Sequence, residues 1–82
     1  MLRVYTDFNS EAPEGYCWLL LYEGQDLESR IGQLGLGKGD LVLLYQDEDD
    51  FEVTAALDHI HVHVLGRDAW IARPDWSTIV RR

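Results

Sequence analysis

The chain has 82 residues, a net charge of −8 and a hydrophobic fraction of 46%. This composition excludes a disordered chain and suits one small packed domain over residues 1–82. Residues 1–58 carry thirteen carboxylates against three basic residues, which argues against nucleic-acid binding through a basic face and against binding to anionic membranes. A lone cysteine, Cys17, and the lack of an apolar stretch of signal-peptide or membrane-span length predict a cytoplasmic protein.

The first part of the chain predicts two strands joined by a loop. Residues 2–6 have the pattern of a short strand, and residues 7–15 hold the Asn, Ser, Pro and Gly that are typical of a loop. The apolar run at residues 16–22 has the length of a strand and predicts one that is buried on both faces.

One short α-helix is predicted after these strands. Asp26 is a suitable N-cap, Leu27, Ile31 and Leu34 follow at helical spacing, and Gly35 can end the helix. A helix of this length could cover one end of a β structure.

The second half of the chain predicts a series of short strands. Residues 41–45 form an apolar strand, residues 47–50 form its acidic hairpin loop, and residues 51–57 form the returning strand. Apolar residues then alternate with histidines up to residue 64, a turn follows at residues 66–68, and a strand at residues 69–73 ends near Pro74. The pattern predicts a mainly β fold, a small barrel of five or six short antiparallel strands with one short α-helix.

The last segment resembles a known kind of small barrel. A strand bearing Trp70 is followed by Pro74, a short turn with Trp76 and a brief closing strand that ends at Val80. This order is similar to the end of a Src-homology-3-like barrel, and the resemblance covers residues 39–80. It implies that fold. Since only one residue separates Pro74 from Trp76, the pair resembles the closing turn of the family more than its groove for proline-rich peptides.

Three histidines alternate with apolar residues in the second half. On one strand His59, His61 and His63 would share a face, with neighbouring pairs about 6.6 to 7 Å apart. Two of them could bind zinc or another divalent metal together with a ligand from an adjacent strand and water, provided that a carboxylate or carbonyl orients each ring. The pattern is also typical of the polar face of a half-exposed strand, or of a patch whose imidazoles titrate at about pH 6. The sequence favours the exposed polar face, with no cofactor.

Other chemistry-bearing residues favour structural roles. The acidic residues 47–50 lack the ligand spacing of a calcium loop. Cys17 lies in an apolar run, where burial raises the pKa of a thiol, and no signature joins Ser77 to a histidine base. The residues therefore favour a protein that is not an enzyme.

The aromatic residues, which include three tryptophans, exceed what so small a barrel can enclose. A surface with Trp70 and Trp76 flanked by Arg67 and Arg73 would suit a protein partner or a second copy of the chain. The first functional hypothesis is a non-enzymatic binding or assembly module that includes the option of a homodimer. The alternative is a metal-binding domain or small metalloenzyme that uses the three histidines.

Overall fold

The computed structural model describes residues 2–8, 12–13, 15–19, 21–22, 24–46 and 51–81. These residues form eight β-strands in one sheet, together with three 3-10 turns. The strands are β1 (Leu2–Tyr5), β2 (Cys17–Trp18), β3 (Leu21–Tyr22), β4 (Gln25–Asp26), β5 (Leu41–Tyr45), β6 (Phe51–Val62), β7 (Arg67–Pro74) and β8 (Val80–Arg81). The turns are Glu28–Arg30, His63–Leu65 and Trp76–Thr78. The predicted mainly β fold is confirmed at this level.

The order of the strands is β2-β7-β6-β5-β1-β3-β4, with β8 beside β6. Each pair is antiparallel except β1 with β5, which is parallel. The prediction of one buried strand at residues 16–22 is wrong, because β2 pairs with β7 at one end of the sheet and β3 pairs with β1 near the other. So short a link between distant strands requires the sheet to curl, and the result is a half-barrel.

Thr6, the residue after β1, is bonded to β2 at one end of the sheet and to β5. Its backbone N–H donates to the carbonyl of Tyr45 at 2.9 Å, and its hydroxyl donates to the carbonyl of Trp18 at 2.6 Å. The residue is fully buried. The strands β1 and β2 do not pair with each other in the sheet. The hydrogen bond from the Thr6 hydroxyl therefore links them.

The main core fills the inner side of the half-barrel. Its buried side chains come from alternate positions of the strands and from the segments after β2 and after β4. They are Val4, Cys17, Leu19, Leu27, Ile31, Val42, Leu44, Val53, Ala55, Leu57 and Ala72.

The long strand β6 serves a second core with its other face. Val53, Ala55 and Leu57 point into the main core, whereas Ile60 and Val62 point to the opposite side. The second cluster buries Val62, Ala69 and Ile71 beneath Tyr16 and Trp18. Because β6 has 12 residues, a single twisted strand can pass from one core to the other.

The predicted α-helix is wrong. The segment instead has a 3-10 turn at Glu28–Arg30, followed by further turns. Gly32 weakens a helix by about 1 kcal/mol relative to alanine, and Gly35 has a left-handed φ of 69°, so too few residues remain to offset helix initiation. The apolar spacing still predicted the buried side correctly, since Leu27 and Ile31 both lie in the main core.

The chain ends along β6. Asp75 accepts a hydrogen bond from the backbone N–H of Ser77 and caps the turn Trp76–Thr78, after which β8 pairs with the beginning of β6. The resemblance to Src-homology-3-like barrels stays a prediction. Among the described ranges, no helix has the length and apolar character needed to cross a membrane.

Candidate functional site

The sheet presents an open surface on the side away from the main core. Cross-strand neighbours share a face, so the register places Arg3, Leu43 and Thr54 in one row. Adjacent rows complete what we call the outer face: Arg3, Tyr5, Leu41, Leu43, Tyr45, Glu52, Thr54, Ala56 and Arg73.

Strand β5 is apolar on both of its faces. Val42 and Leu44 are fully buried in the main core, whereas Leu41 on the outer face is 53% exposed and Leu43 is half-buried. A strand that is apolar on both sides is typical of one covered on both sides. In the described part of the chain only the inner side of β5 is covered in this way.

A shallow groove crosses the outer face next to Leu41. Its volume is about 450 Å³. The small side chains of Thr54 and Ala56 form its floor, and Leu41, Arg73, Pro74 and Thr78 stand around it. The groove could take an aliphatic side chain from another molecule.

The charges at one end of the outer face are paired. The guanidinium of Arg3 binds the carboxylate of Glu52 and lies over the ring of Tyr45, 4.4 Å from its centroid. Tyr45 also meets Tyr5 edge to face, with ring centroids 5.8 Å apart. Cross-strand contacts therefore hold these side chains in place.

The other end of the outer face meets a polar network around Tyr16. The Tyr16 hydroxyl donates to Asp58 at 3.0 Å and accepts from the Arg73 guanidinium at 3.0 Å. Lys38 lies 3.6 Å from the same carboxylate. The Tyr16 hydrogen bond, followed by the backbone N–H of His59 and the charge of Lys38, lowers the pKa of Asp58 despite some desolvation. Asp58 is therefore a charged member of this network at neutral pH.

The four residues predicted to form one aromatic and basic surface lie in three separate places. Arg73 borders the outer face. Trp70 lies on the opposite side of β7 and stacks on His59, with ring centroids 4.8 Å apart, while Arg67 binds Glu28.

Trp76 occupies the third place. It is 51% exposed and packs against Phe8 and Phe51, with ring centroids 5.9 and 6.3 Å away. The structure therefore does not gather Trp70, Trp76 and the two arginines into one surface. The sequence analysis missed Leu41, Leu43 and Ala56, although the unbroken apolar run at residues 41–45 was a usable signal.

Glu28 covers part of the edge of β7. Its carboxylate accepts the backbone N–H of Trp70 at 2.8 Å and two hydrogen bonds from Arg67 at 3.1 and 3.2 Å. The Arg67 hydrogen bonds are the largest cause that lowers the pKa of Glu28, desolvation opposes them, and the Trp70 N–H lowers it further. The contact protects an edge that would otherwise be open to strand pairing.

This pairing predicts a pH-dependent contribution to stability. A carboxyl with a lowered pKa stabilises the fold above its ordinary pKa, and the contribution is lost as the pH falls through the lowered value. We expect Glu28→Gln to reduce the free energy of unfolding by about 1 kcal/mol at neutral pH. Below about pH 4 the difference from the wild type should close. Urea unfolding at several pH values measures it.

The double variant with Arg67→Gln is the control for this pairing. The effect of Glu28→Gln should shrink in the Arg67→Gln background, because one partner is already missing. A wild-type to Glu28→Gln difference that stays constant from neutral to acid pH would contradict the assignment.

The three histidines do not share one strand face. His59 and His61 lie on β6, but His63 begins the turn His63–Leu65, so the prediction is wrong for His63. His59 stacks on Trp70, whereas Nδ1 of His61 lies 3.3 Å from Asp68. Within the described ranges, no group of three or more His, Cys, Asp or Glu side chains is placed to hold a metal ion. Metal binding by His59, His61 and His63 stays a prediction. Two of them, His61 and His63, line a second groove.

Cys17 and Ser77 both have structural contacts. Cys17 is buried in the main core, where desolvation raises the pKa of its thiol. The Ser77 hydroxyl donates to Asp75 at 2.6 Å within the C-terminal turn. The acidic hairpin loop predicted at residues 47–50 lies outside the described residues.

Comparisons with known proteins place this chain in no family. No family model matches it, and neither the curated proteins nor the solved structures contain a significant match.

Proposed function

We propose that this protein is a non-enzymatic protein-binding module that docks its partner on the outer face. One observation carries the proposal: Leu41 and Leu43 leave apolar surface uncovered on a strand whose other side is fully buried. Exposed apolar surface framed by charged residues is a common feature of protein interfaces. The framing residues here are Arg3, Glu52 and Arg73.

The groove over Ala56 supports the proposal. An interface gains most of its affinity from a few side chains that enter well-packed pockets. The groove has a floor of small side chains beside Leu41 and a guanidinium, from Arg73, at its rim. The geometry suits an aliphatic anchor with polar contacts around it.

Site-specific photocrosslinking in cells that make the protein naturally tests the proposal. A photoreactive amino acid at position 41 should form discrete crosslinks to protein. The same group at position 64 is the matched control, because Val64 is 76% exposed but lies in the turn His63–Leu65, outside the outer face. Crosslinking at position 64 equal to that at 41, or none at 41, would overturn the proposal.

A further inference from the structure

We infer that the partner on the outer face is a second copy of this chain, related by a two-fold axis, with Leu41 of each copy in the groove of the other. This inference rests on the proposed function and names the occupant of the same site. The occupant follows from the charge and the shape of the outer face.

Among the described residues, the basic side chains on and beside the outer face each have an acidic side chain near them. Arg3 is paired with Glu52, and Lys38 lies beside Asp58. The remaining guanidinium, Arg73, shares the groove with Asp75. The whole chain, however, carries −8.

This contrast selects among partners. A strongly basic partner would be attracted to the chain as a whole, but on the outer face it would meet Arg73 and a Glu52 carboxylate that Arg3 already pairs. A strongly acidic partner would be repelled by the chain as a whole. An apolar surface with paired charges is therefore the best match, and the outer face of a second copy is such a surface. Two copies that each carry −8 approach with least repulsion where charged side chains are paired.

The shape of the outer face is suited to pairing with itself. In a two-fold interface the same patch serves both partners, so each knob requires a hole on the same patch. Leu41 is the knob, because it is 53% exposed at the groove edge. The groove over Thr54 and Ala56 is the hole. A groove of about 450 Å³ has room for a leucine side chain.

Sedimentation equilibrium of the purified 82-residue chain tests the inference, from about 1 μM to about 1 mM protein. The wild type should change from monomer to dimer within this range. Raising the salt from about 0.02 M to about 0.5 M should strengthen dimerisation, because salt screens the repulsion between the two acidic copies. An interface held by opposite charges would weaken instead.

Two variants and one matched control test the named contact. Leu41→Glu should weaken dimerisation by about 100-fold, since two partly buried leucines are lost in each dimer. Val64→Glu adds the same charge at an exposed apolar position elsewhere and should have little effect in high salt. Ala56→Leu fills the groove from within and should weaken dimerisation by at least about tenfold. Circular dichroism establishes that each variant is folded.

The alternatives give different outcomes. A wild type that stays monomeric up to about 1 mM in both salts would overturn the inference. Stronger dimerisation of the Ala56→Leu variant would also overturn the inference, because added apolar area strengthens association through a nonspecific apolar surface. If the purified chain is monomeric while position 41 still crosslinks to a different protein in cells, the inference fails and the proposed function stands. If the purified chain is monomeric and position 41 forms no crosslinks, both the dimer and the proposed function are overturned.

Discussion

Replacing Leu27 by alanine is expected to leave most of the chain unfolded at room temperature. Leu27 is fully buried, and it enters the main core from the segment between β4 and the turn Glu28–Arg30. A buried leucine truncated to alanine costs about 2–5 kcal/mol. The core of so small a domain supplies only about 3–5 kcal/mol of net stability, so the loss is comparable to the whole.

Urea unfolding followed by tryptophan fluorescence and circular dichroism measures this effect. Leu34→Ala is the matched control, because Leu34 lies in the same segment but is only half-buried against the core. It should cost less than half as much. An equal loss for the two variants would show that the segment contributes through its turns and not through the buried Leu27 side chain.

Replacing Thr6 by valine is expected to have the second largest effect. Valine has nearly the same shape as threonine but cannot donate a hydrogen bond to the Trp18 carbonyl, which accepts the buried Thr6 hydroxyl at 2.6 Å. Removing the donor from a hydrogen bond in the protein interior costs about 1–3 kcal/mol. The loss should fall mainly on the contact between β1 and β2, which closes the half-barrel.

Hydrogen exchange of the β2 and β7 amides, together with the urea midpoint, measures this loss. Thr6→Ser retains the hydroxyl and should keep most of the protection at β2, although it loses a buried methyl group. The assignment is contradicted if Thr6→Ser and Thr6→Val lower protection at β2 equally. Each variant should leave the Tyr45 carbonyl paired, since that bond uses the backbone N–H of Thr6.

Several elements could be predicted because their signals are local. The strand at residues 41–45 has the bounds of β5, and Pro74 ends β7 as expected for a residue without a backbone donor. The buried side of the segment around Leu27 and Ile31 was also readable from its spacing. The type of secondary structure in this segment could not be predicted from the spacing. Gly32 disfavours a helix, and a series of turns buries the same side chains in the core.

The candidate site could not be predicted in the same way. Trp70 and Arg73 are close in sequence, but side chains at an odd separation on a strand point to opposite faces. His63 differs from His59 and His61 because β6 ends at Val62 and a 3-10 turn follows. Residue type alone does not show which face of a strand another element covers.

The sequence by itself determined the class of this protein: one small acidic chain of short strands whose apolar residues alternate. Those properties depend on neighbours in the chain, through turn residues, strand periodicity and composition. Only the tertiary structure decided that residues 16–22 divide between β2 and β3, that β6 serves two cores, and that Leu41 is left exposed and Leu43 half-buried on the outer face. These outcomes depend on how the sheet curls. The curl follows from pairings between residues far apart in sequence, such as Cys17 with Ala72 and Tyr5 with Leu21.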